Sequence, residues 1–182
     1  TSTKTLLTIE EHTDAEYVLL SLKHTPVSLG LHALDRLLRV ATDSNAGMVY
    51  ADCYIQKYGV QEKHPTIDYQ TGSIRDDFDF GQLILIRSSL LHDYAAKQQK
   101  ADYKYAGLYD LRLYISRKSQ IFHLNEYLYT QVETDSRKSG ERQFDYVNPR
   151  NREVQIEMEQ AATKHLDKIG ATVDTSKYTK PD

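Results

Sequence analysis

Apolar residues follow two spacings along this chain, and each spacing predicts a different kind of element. Where they recur every three or four positions, as at Leu34 and Leu38, an amphipathic helix is expected. Where they follow one another without a break, a short buried strand is expected. The predicted helices cover residues 3–11, the stretch opened by Gly30, and residues 88–94, 108–116 and 148–169. The predicted strands cover residues 16–22, 48–52, 83–86, 121–124 and 127–132.

This alternation of helices and buried strands predicts an α/β fold, in which helices flank a mixed, mostly parallel sheet. Residues 1–146 are expected to form that domain. Residues 56–74 are polar and predict a long loop, and the charged residues 134–141 predict a surface loop.

The C-terminal part, residues 147–182, is predicted to be a helical extension that docks on the domain, with docking on a partner as the alternative. Asn148 and Pro149 are typical of a helix start, and Gly170 is typical of a helix end. The residues from Asp174 onward are expected to be disordered. The apolar stripe expected to face the domain consists of Val154, Met158, Ala162, Leu166 and Ile169.

Composition and charge exclude several classes of protein. The 182-residue chain has a formal net charge of -3 and no dominant basic stripe, which argues against nucleic-acid binding. Cys53 is its single cysteine, so no intrachain disulfide can form, and a reducing, cytoplasmic compartment is expected. No apolar run approaches the ~18 residues that a membrane-spanning helix needs. The chain contains no P-loop, dinucleotide-binding glycine motif or serine-nucleophile motif.

The most unusual local pattern is an acidic segment just before the third predicted strand. Asp76, Asp77 and Asp79 alternate there with Phe78 and Phe80. At a two-residue period the phenylalanines can point inward while Asp77 and Asp79 share the other face. Carboxylates held close together perturb one another's pKa values or bind a cation. The alternative interpretation is a solvated acidic loop with two aromatic anchors.

Three polar groups follow or adjoin the predicted strands. Lys23 and His24 come after the first strand, Asp52 ends the second, and the acidic segment adjoins the third. Ligands of open α/β sheets bind outside the carboxyl ends of the strands. We therefore expect these side chains to share one rim of the sheet.

Several segments resemble a known family when they are taken in order. Residues 16–30 resemble a strand that leads into a metal-binding Asp-x-Asp and a helix opened by proline and glycine. Residues 107–113, Gly-Leu-Tyr-Asp-Leu-Arg-Leu, resemble the segment that carries a catalytic base. The other matching segments are residues 34–39, 47–52, 78–91 and 123–129. Together they resemble glycosyltransferase family 2, and they look closest to members from Bacteroidetes bacteria.

The resemblance implies a type-A glycosyltransferase fold and an inverting transfer of sugar from a nucleotide-diphosphate donor to a glycan or lipid-linked acceptor. The family's N-terminal nucleotide-binding strands have no counterpart before Thr1, so the chain resembles the second half of that fold. Asp110 is the first candidate for the base that takes the acceptor's proton, with helix capping as its alternative role. Asp79 is the second candidate. Asp76 and Asp77 would hold acceptor hydroxyls or a cation.

The sequence also departs from the family pattern at two places. Leu22, Lys23 and His24 stand where the metal-binding aspartates belong, so a manganese or magnesium ion would lack its usual ligands. Lys23, with His24, would then neutralise the diphosphate directly, unless Lys23 is simply a solvated loop lysine. Gly107 and Leu108 stand where the family has a Glu-Asp pair.

Three function classes follow from these observations. The first is a glycosyltransferase, or its acceptor-side portion. The second is a non-catalytic relative that recognises carbohydrate or assembles with an active transferase. The third is an unrelated α/β interaction domain whose likeness to the family is accidental.

Overall fold

A computed structural model describes residues 1–97, 102–132 and 152–172. Within these stretches the chain forms five helices and six strands. In chain order they are α1 (Thr3–Glu11), β1 (Tyr17–Ser21), β2 (Val27–Leu29), α2 (Ala33–Asp43), β3 (Met48–Lys57), β4 (Val60–His64), β5 (Leu83–Arg87), α3 (Ser88–Lys97), α4 (Gly107–Ser116), β6 (Ile121–Val132) and α5 (Arg152–Ile169). The predicted loop at residues 134–141, the helix start at Asn148 and Pro149, and the tail from Asp174 lie outside the described residues.

The strands form one sheet in the order β1-β5-β3-β6-β2, and β4 pairs with the distal half of β3. The α/β class is confirmed, but the prediction of a mostly parallel sheet is wrong. Among the described strands only β3 and β6 run parallel, and every other pairing is antiparallel. A short apolar run indicates that a strand is buried but carries no information about its direction, which is why the sequence pattern misled here.

β3 continues well beyond its predicted end at Asp52 and turns back into β4. Tyr58 and Gly59 form the turn, and both have positive φ angles, of 51° and 80°. Such angles at both central residues are typical of a two-residue hairpin that follows the twist of its strands. The prediction that all of residues 56–74 form a loop is therefore wrong for Val60–His64.

The two short strands predicted at residues 121–132 are one strand, β6. Its pairing with β3 shifts register where Ala51 lies opposite Leu124 but Asp52 lies opposite Tyr127. Asn125 and Glu126 are the extra residues of this bulge. They interrupt the apolar pattern, which made one strand look like two.

The sheet buries a core on each face. Tyr50, Ile84 and Ile86 face a core shared with α1, α3 and α4. Val49 and Leu85 face a second core against α2. The prediction that β5 is buried on both faces is confirmed, since its residues from Leu83 to Ile86 are all buried.

The sequence pattern predicted the start of α1 correctly but placed the start of α2 too early. α1 begins as expected, with the Ser2 hydroxyl accepting a hydrogen bond from the Thr5 amide at 3.1 Å. α2 begins three residues after Gly30, and Leu31 lies before it with 90% of its surface exposed. The buried face of α2 is formed by Ala33, Leu37, Val40 and Ala41. The expected stripe of Leu31, Leu34, Leu38 and Ala41 is therefore right for Ala41 and in part for Leu38, which packs against the core, and wrong for Leu34, which is 41% exposed.

α5 docks on α4, as expected for the extension. Ala161 is fully buried against Tyr109 and Leu113 of α4. The helix ends at Ile169 and Gly170 follows with a φ angle of +74°, which confirms the predicted end. The predicted apolar stripe is partly wrong, because Ile169 is 49% exposed.

Glu157 of α5 also holds the start of α4. Its carboxylate accepts hydrogen bonds from the backbone amides of Lys104, Tyr105 and Ala106 at 3.0, 2.6 and 3.0 Å. Burial acts to raise the pKa of Glu157, but these three amides outweigh it and hold the pKa below its usual value. The contact satisfies amides at a helix start that has no side-chain cap of its own.

Candidate functional site

A pocket with a volume of about 270 Å³ lies between the sheet and α4, and we call it the aromatic pocket. It is bounded on the sheet side by Leu22, just after β1, and by Ile84 of β5. The side chains that give it chemical character are Asp76, Phe78, Phe80, Tyr109 and Arg112. Apolar concave sites with a few convergent polar groups are the usual form of small-ligand sites.

Gln82 fixes the sheet-side rim of this pocket. Its backbone carbonyl accepts from the Leu22 amide at 2.8 Å, and its buried side-chain amide donates to the Thr25 carbonyl at 2.8 Å. The turn between β1 and β2 is therefore pinned to the start of β5. Lys23 and His24 stand on that turn and are exposed.

The acidic segment is a loop anchored by its two phenylalanines, which is the alternative interpretation given above. Phe78 and Phe80 pack on each other with ring centroids 4.5 Å apart, and Tyr50 and Tyr69 pack against them. Aromatic rings in such edge and offset arrangements hold each other in place. This cluster positions the loop beside the pocket.

The first two carboxylates of the loop have different surroundings. Asp76 is exposed at the mouth of the aromatic pocket. Asp77 points away and pairs with Arg75, whose Nε donates to it at 2.9 Å, and this hydrogen bond lowers the pKa of Asp77. The predicted sharing of one face by Asp77 and Asp79 is not formed, because the segment is not a strand.

Arg112 is the buried cation of the site, with only 4% of its surface exposed. Its guanidinium donates to the backbone carbonyl of Arg75 at 2.6 Å and lies 4.8 Å from the ring centre of Tyr109. Within the described stretches it pairs with no carboxylate. Burial lowers the pKa of Arg112 and raises that of Tyr109 to about 12. The sequence interpretation missed Arg112, although its place three residues after Tyr109 put both on one side of α4.

Asp79 lies outside the aromatic pocket and connects two turns. Its Oδ2 lies 2.7 Å from Nε2 of His64, at the end of β4, and its Oδ1 accepts from the Gly81 amide at 2.8 Å. Both contacts are with the chain itself. Its role as a base stays a prediction. Asp79 and Asp76 do not share one site, because Asp76 lines the aromatic pocket and Asp79 does not.

Asp52 is buried in the middle of β3 and is the centre of a hydrogen-bond network. Its Oδ1 accepts from the amide and the hydroxyl of Thr66 at 2.7 and 2.9 Å, and Nε2 of His123 lies 2.9 Å away. Nδ1 of His123 lies 2.7 Å from Asp68. Burial acts to raise the pKa of Asp52, but the hydrogen bonds outweigh it and lower the pKa. The network ties the 65–68 loop to two strands.

Three of the predicted site residues act on one buried group, the thiol of Cys53. Burial raises the pKa of this thiol to about 11, and the charges of Asp79, Lys23 and Asp52 also act on it. Asp110 does not join them. It lies on α4, facing α3 and α5, so the structure brings together only part of the predicted constellation.

Asp110 is buried and faces a different cleft from the aromatic pocket. Its Oδ2 accepts from the Tyr94 hydroxyl at 3.0 Å and from Nζ of Lys164 at 3.2 Å. It does not cap its helix, because the cap position is Ala106 and no side chain caps it. Its assignment as a catalytic base stays a prediction.

The residues present do not fit a divalent cation of the kind that the family resemblance implies. The positions of the metal-binding aspartates hold Leu22, Lys23 and His24. Among the described residues there is also no group of three or more histidine, cysteine, aspartate or glutamate side chains able to hold a metal ion. A hard cation such as magnesium or calcium needs several oxygen ligands, and Asp76 is the one carboxylate that the described part of the chain brings to the pocket.

Comparisons with known proteins do not assign a family. No protein-family model matches the sequence, and no curated protein shows significant similarity to it. The resemblance to glycosyltransferases therefore depends on the sequence segments given above and stays a prediction. The described helices include none with the length and apolar character needed to cross a membrane.

Proposed function

We propose that this chain binds a carbohydrate in the aromatic pocket, as the acceptor-side portion of a glycosyltransferase-like domain. One observation carries the proposal. The pocket is lined by Leu22, by Phe78 and Phe80, and by Tyr109 and Arg112. These belong to three of the segments whose sequences resemble the family, and they come from distant parts of the chain.

The chemistry of the pocket suits a sugar. The C–H faces of a sugar ring are apolar and pack against aromatic side chains, which Phe78 and Tyr109 provide. Sugar hydroxyls both donate and accept hydrogen bonds. Asp76 at the mouth accepts them, and the guanidinium of Arg112 has more donors than its two backbone carbonyls use. The aromatic side chains therefore pack against one face of a sugar ring, while Asp76 and Arg112 form hydrogen bonds with the hydroxyls along one edge of it.

Recognition is favoured over transfer for this part of the chain. Neither Asp110 nor Asp79 lines the pocket, and each already holds partners within the chain. The second candidate function is transfer itself. The observation that favours it is Asp76, a carboxylate at the mouth of the pocket and the one place where a base could meet an acceptor hydroxyl.

Binding is tested by titrating the protein with a panel of monosaccharides and short glycans while following ligand signals by saturation-transfer NMR. Asp76→Asn keeps the shape of the side chain but removes its charge, and we expect it to weaken binding about tenfold. Asp77→Asn is the matched control, because Asp77 is the next residue but pairs with Arg75 outside the pocket. Equal affinity in the two variants, or no sugar bound by the wild-type chain, would contradict the proposal.

Transfer is tested separately by incubating the protein with nucleotide-diphosphate sugars and any glycan that binds, and detecting the lengthened product. If the second function holds, Asp76→Asn abolishes product formation, while Asp110→Asn leaves it intact. Binding without product supports recognition alone.

A further inference from the structure

A second cleft lies on the helical side of the molecule, and we call it the basic cleft. It has a volume of about 600 Å³ and opens where the C-terminal ends of α3, α4 and α5 meet. The cationic side chains that line it are Lys97, Arg117, Lys118, Lys164 and Lys168. No sequence pattern predicted this cluster, because its members come from three separate helices or their ends.

The cluster carries more positive charge than its carboxylates neutralise. Lys164 lies 3.2 Å from Asp110, and Lys97 lies 2.5 Å from Asp93. Within the described stretches, Arg117, Lys118 and Lys168 form no ion pair with a carboxylate. This concentration of charge is unexpected in a chain whose net charge is -3. Favourable contact with the negative ends of three helices explains part of it, but each helix end carries only about half a charge.

Arg117 gives the cleft a built-in cation that is not simply a solvated surface charge. Its guanidinium is half-buried, donates to Nδ1 of His165 at 2.5 Å, and lies 5.6 Å from the ring centre of Tyr114. Burial lowers the pKa of Arg117. The side chain is therefore held in place by α5 and by an aromatic ring. The carboxylate of Asp110 lines the same cleft and acts on Arg117 through space, but it pairs with Lys164.

We propose that the basic cleft binds a phosphate-bearing anion. Phosphate oxygens accept several charge-assisted hydrogen bonds at once. The fixed guanidinium of Arg117 supplies paired N–H donors, and the flexible lysines around it supply further positive charge. The site is separate from the aromatic pocket, on the far side of α4, and does not depend on sugar binding. The phosphate can belong to a soluble molecule or to a lipid headgroup, since both present the same oxygens.

The soluble form is tested with inorganic pyrophosphate by isothermal titration calorimetry at low ionic strength. We expect saturable binding that weakens as salt is added, because partly exposed charges are screened. The variant Lys118→Gln/Lys168→Gln should weaken that binding about tenfold or more. The control Lys4→Gln/Lys57→Gln removes the same charge from exposed positions outside the cleft and should leave the affinity unchanged.

The lipid form is tested by co-sedimentation with phosphatidylcholine vesicles that contain or lack phosphatidic acid. Binding that requires phosphatidic acid, is lost in the cleft variant and is competed by pyrophosphate assigns the site to a headgroup. Pyrophosphate binding without vesicle binding assigns it to a soluble phosphate compound. The proposal is overturned if neither probe binds, or if the cleft variant and the control lose affinity equally. Thermal melts of both variants exclude loss of folding as the cause.

Discussion

Nδ1 of His165 on α5 lies 2.5 Å from the guanidinium of Arg117 at the end of α4. Because a guanidinium only donates hydrogen bonds, this nitrogen accepts and carries no proton. His165 is almost fully buried, with 3% of its surface exposed. Burial, followed by the charges of Arg117 and Arg112, lowers its pKa below the ordinary value of 6.5, while a hydrogen bond with the backbone of Leu113 and the charge of Asp110 act in the opposite direction.

The first prediction concerns pH. The folded chain takes up the His165 proton at a lower pH than the unfolded chain does, so the neutral imidazole stabilises the docked helix fully above pH 6.5. This contribution is lost as the pH falls from there through the folded-state pKa. We therefore expect the melting temperature of the wild-type chain to fall between about pH 8 and about pH 5. Circular dichroism melts across that range measure the effect.

Substitution separates His165 from the other titrating groups. His165→Gln keeps an acceptor for Arg117 but cannot titrate, so its pH dependence should be shallower than that of the wild type. His12→Gln changes an exposed histidine at the end of α1 and should leave the slope as it is. If the melting temperature of His165→Gln fell with pH as steeply as that of the wild type, a group other than His165 would be responsible for the loss of stability in acid.

The second prediction concerns the buried network around Asp52. Asp52→Asn removes the charge that strengthens the hydrogen bonds from Thr66 and His123 to Oδ1, and it places an amide NH2 group at the buried position of Oδ2, which has no hydrogen-bond partner among the described residues. We expect the free energy of unfolding to fall by about 3 kcal/mol, as measured by urea denaturation. Asp35→Asn is the control, since Asp35 forms an exposed pair with His32 and should change stability by less than about 1 kcal/mol. Similar losses in the two variants would show that the network contributes little.

The third prediction concerns Gly81, which sits between the acidic loop and β5. Its φ angle is +71°, and a Cβ atom there would overlap the Tyr129 hydroxyl. That hydroxyl accepts from the amides of Gln82 and Leu83 at 2.8 and 3.2 Å, so it cannot move away without leaving buried donors unpaired. Gly81→Ala should therefore destabilise the chain by about 3 kcal/mol in urea denaturation.

Gly59→Ala provides the comparison for backbone strain alone. Gly59 has a φ angle of +80° but nothing within 4 Å of a Cβ atom. We expect this variant to lose about 1 kcal/mol, which is the ordinary effect of a side chain in the left-handed region. If the two variants lost equal stability, the contact with Tyr129 would not constrain the turn.

Local patterns predicted the elements whose signals lie within one segment. The cap at Ser2, the buried run at Leu83–Ile86 and the helix at residues 108–116 all depend on neighbouring residues alone, and the structure confirms them. Strand direction and partner depend on the path of the whole chain. The mostly antiparallel order of the strands could therefore not be predicted from the local pattern. β4 was missed because its exposed polar residues lack an apolar face, although Tyr58 and Gly59 marked a turn.

The candidate site was predictable only in part for the same reason. Asp76 and the two phenylalanines were found because they stand together in sequence. Arg112 and His165 were missed because their roles come from contacts between helices, and a charged or polar residue on a helix is usually solvated. Asp110 was placed on the right helix, but which side of that helix faces the sheet is decided by packing.

The parallel pairing of β3 with β6 affects how the chain reaches its native state. These two strands lie far apart in sequence, and β4, β5, α3 and α4 come between them. Joining them closes a long loop, so chain entropy is lost before the contacts that compensate for it are gained. Domains dominated by such non-local pairings fold in about milliseconds to seconds, which is slower than helical bundles. We therefore expect the pairing of β3 with β6 to be the slow step of folding, and until it forms the edge of β3 that faces β6 is open to pairing with a second copy of the chain.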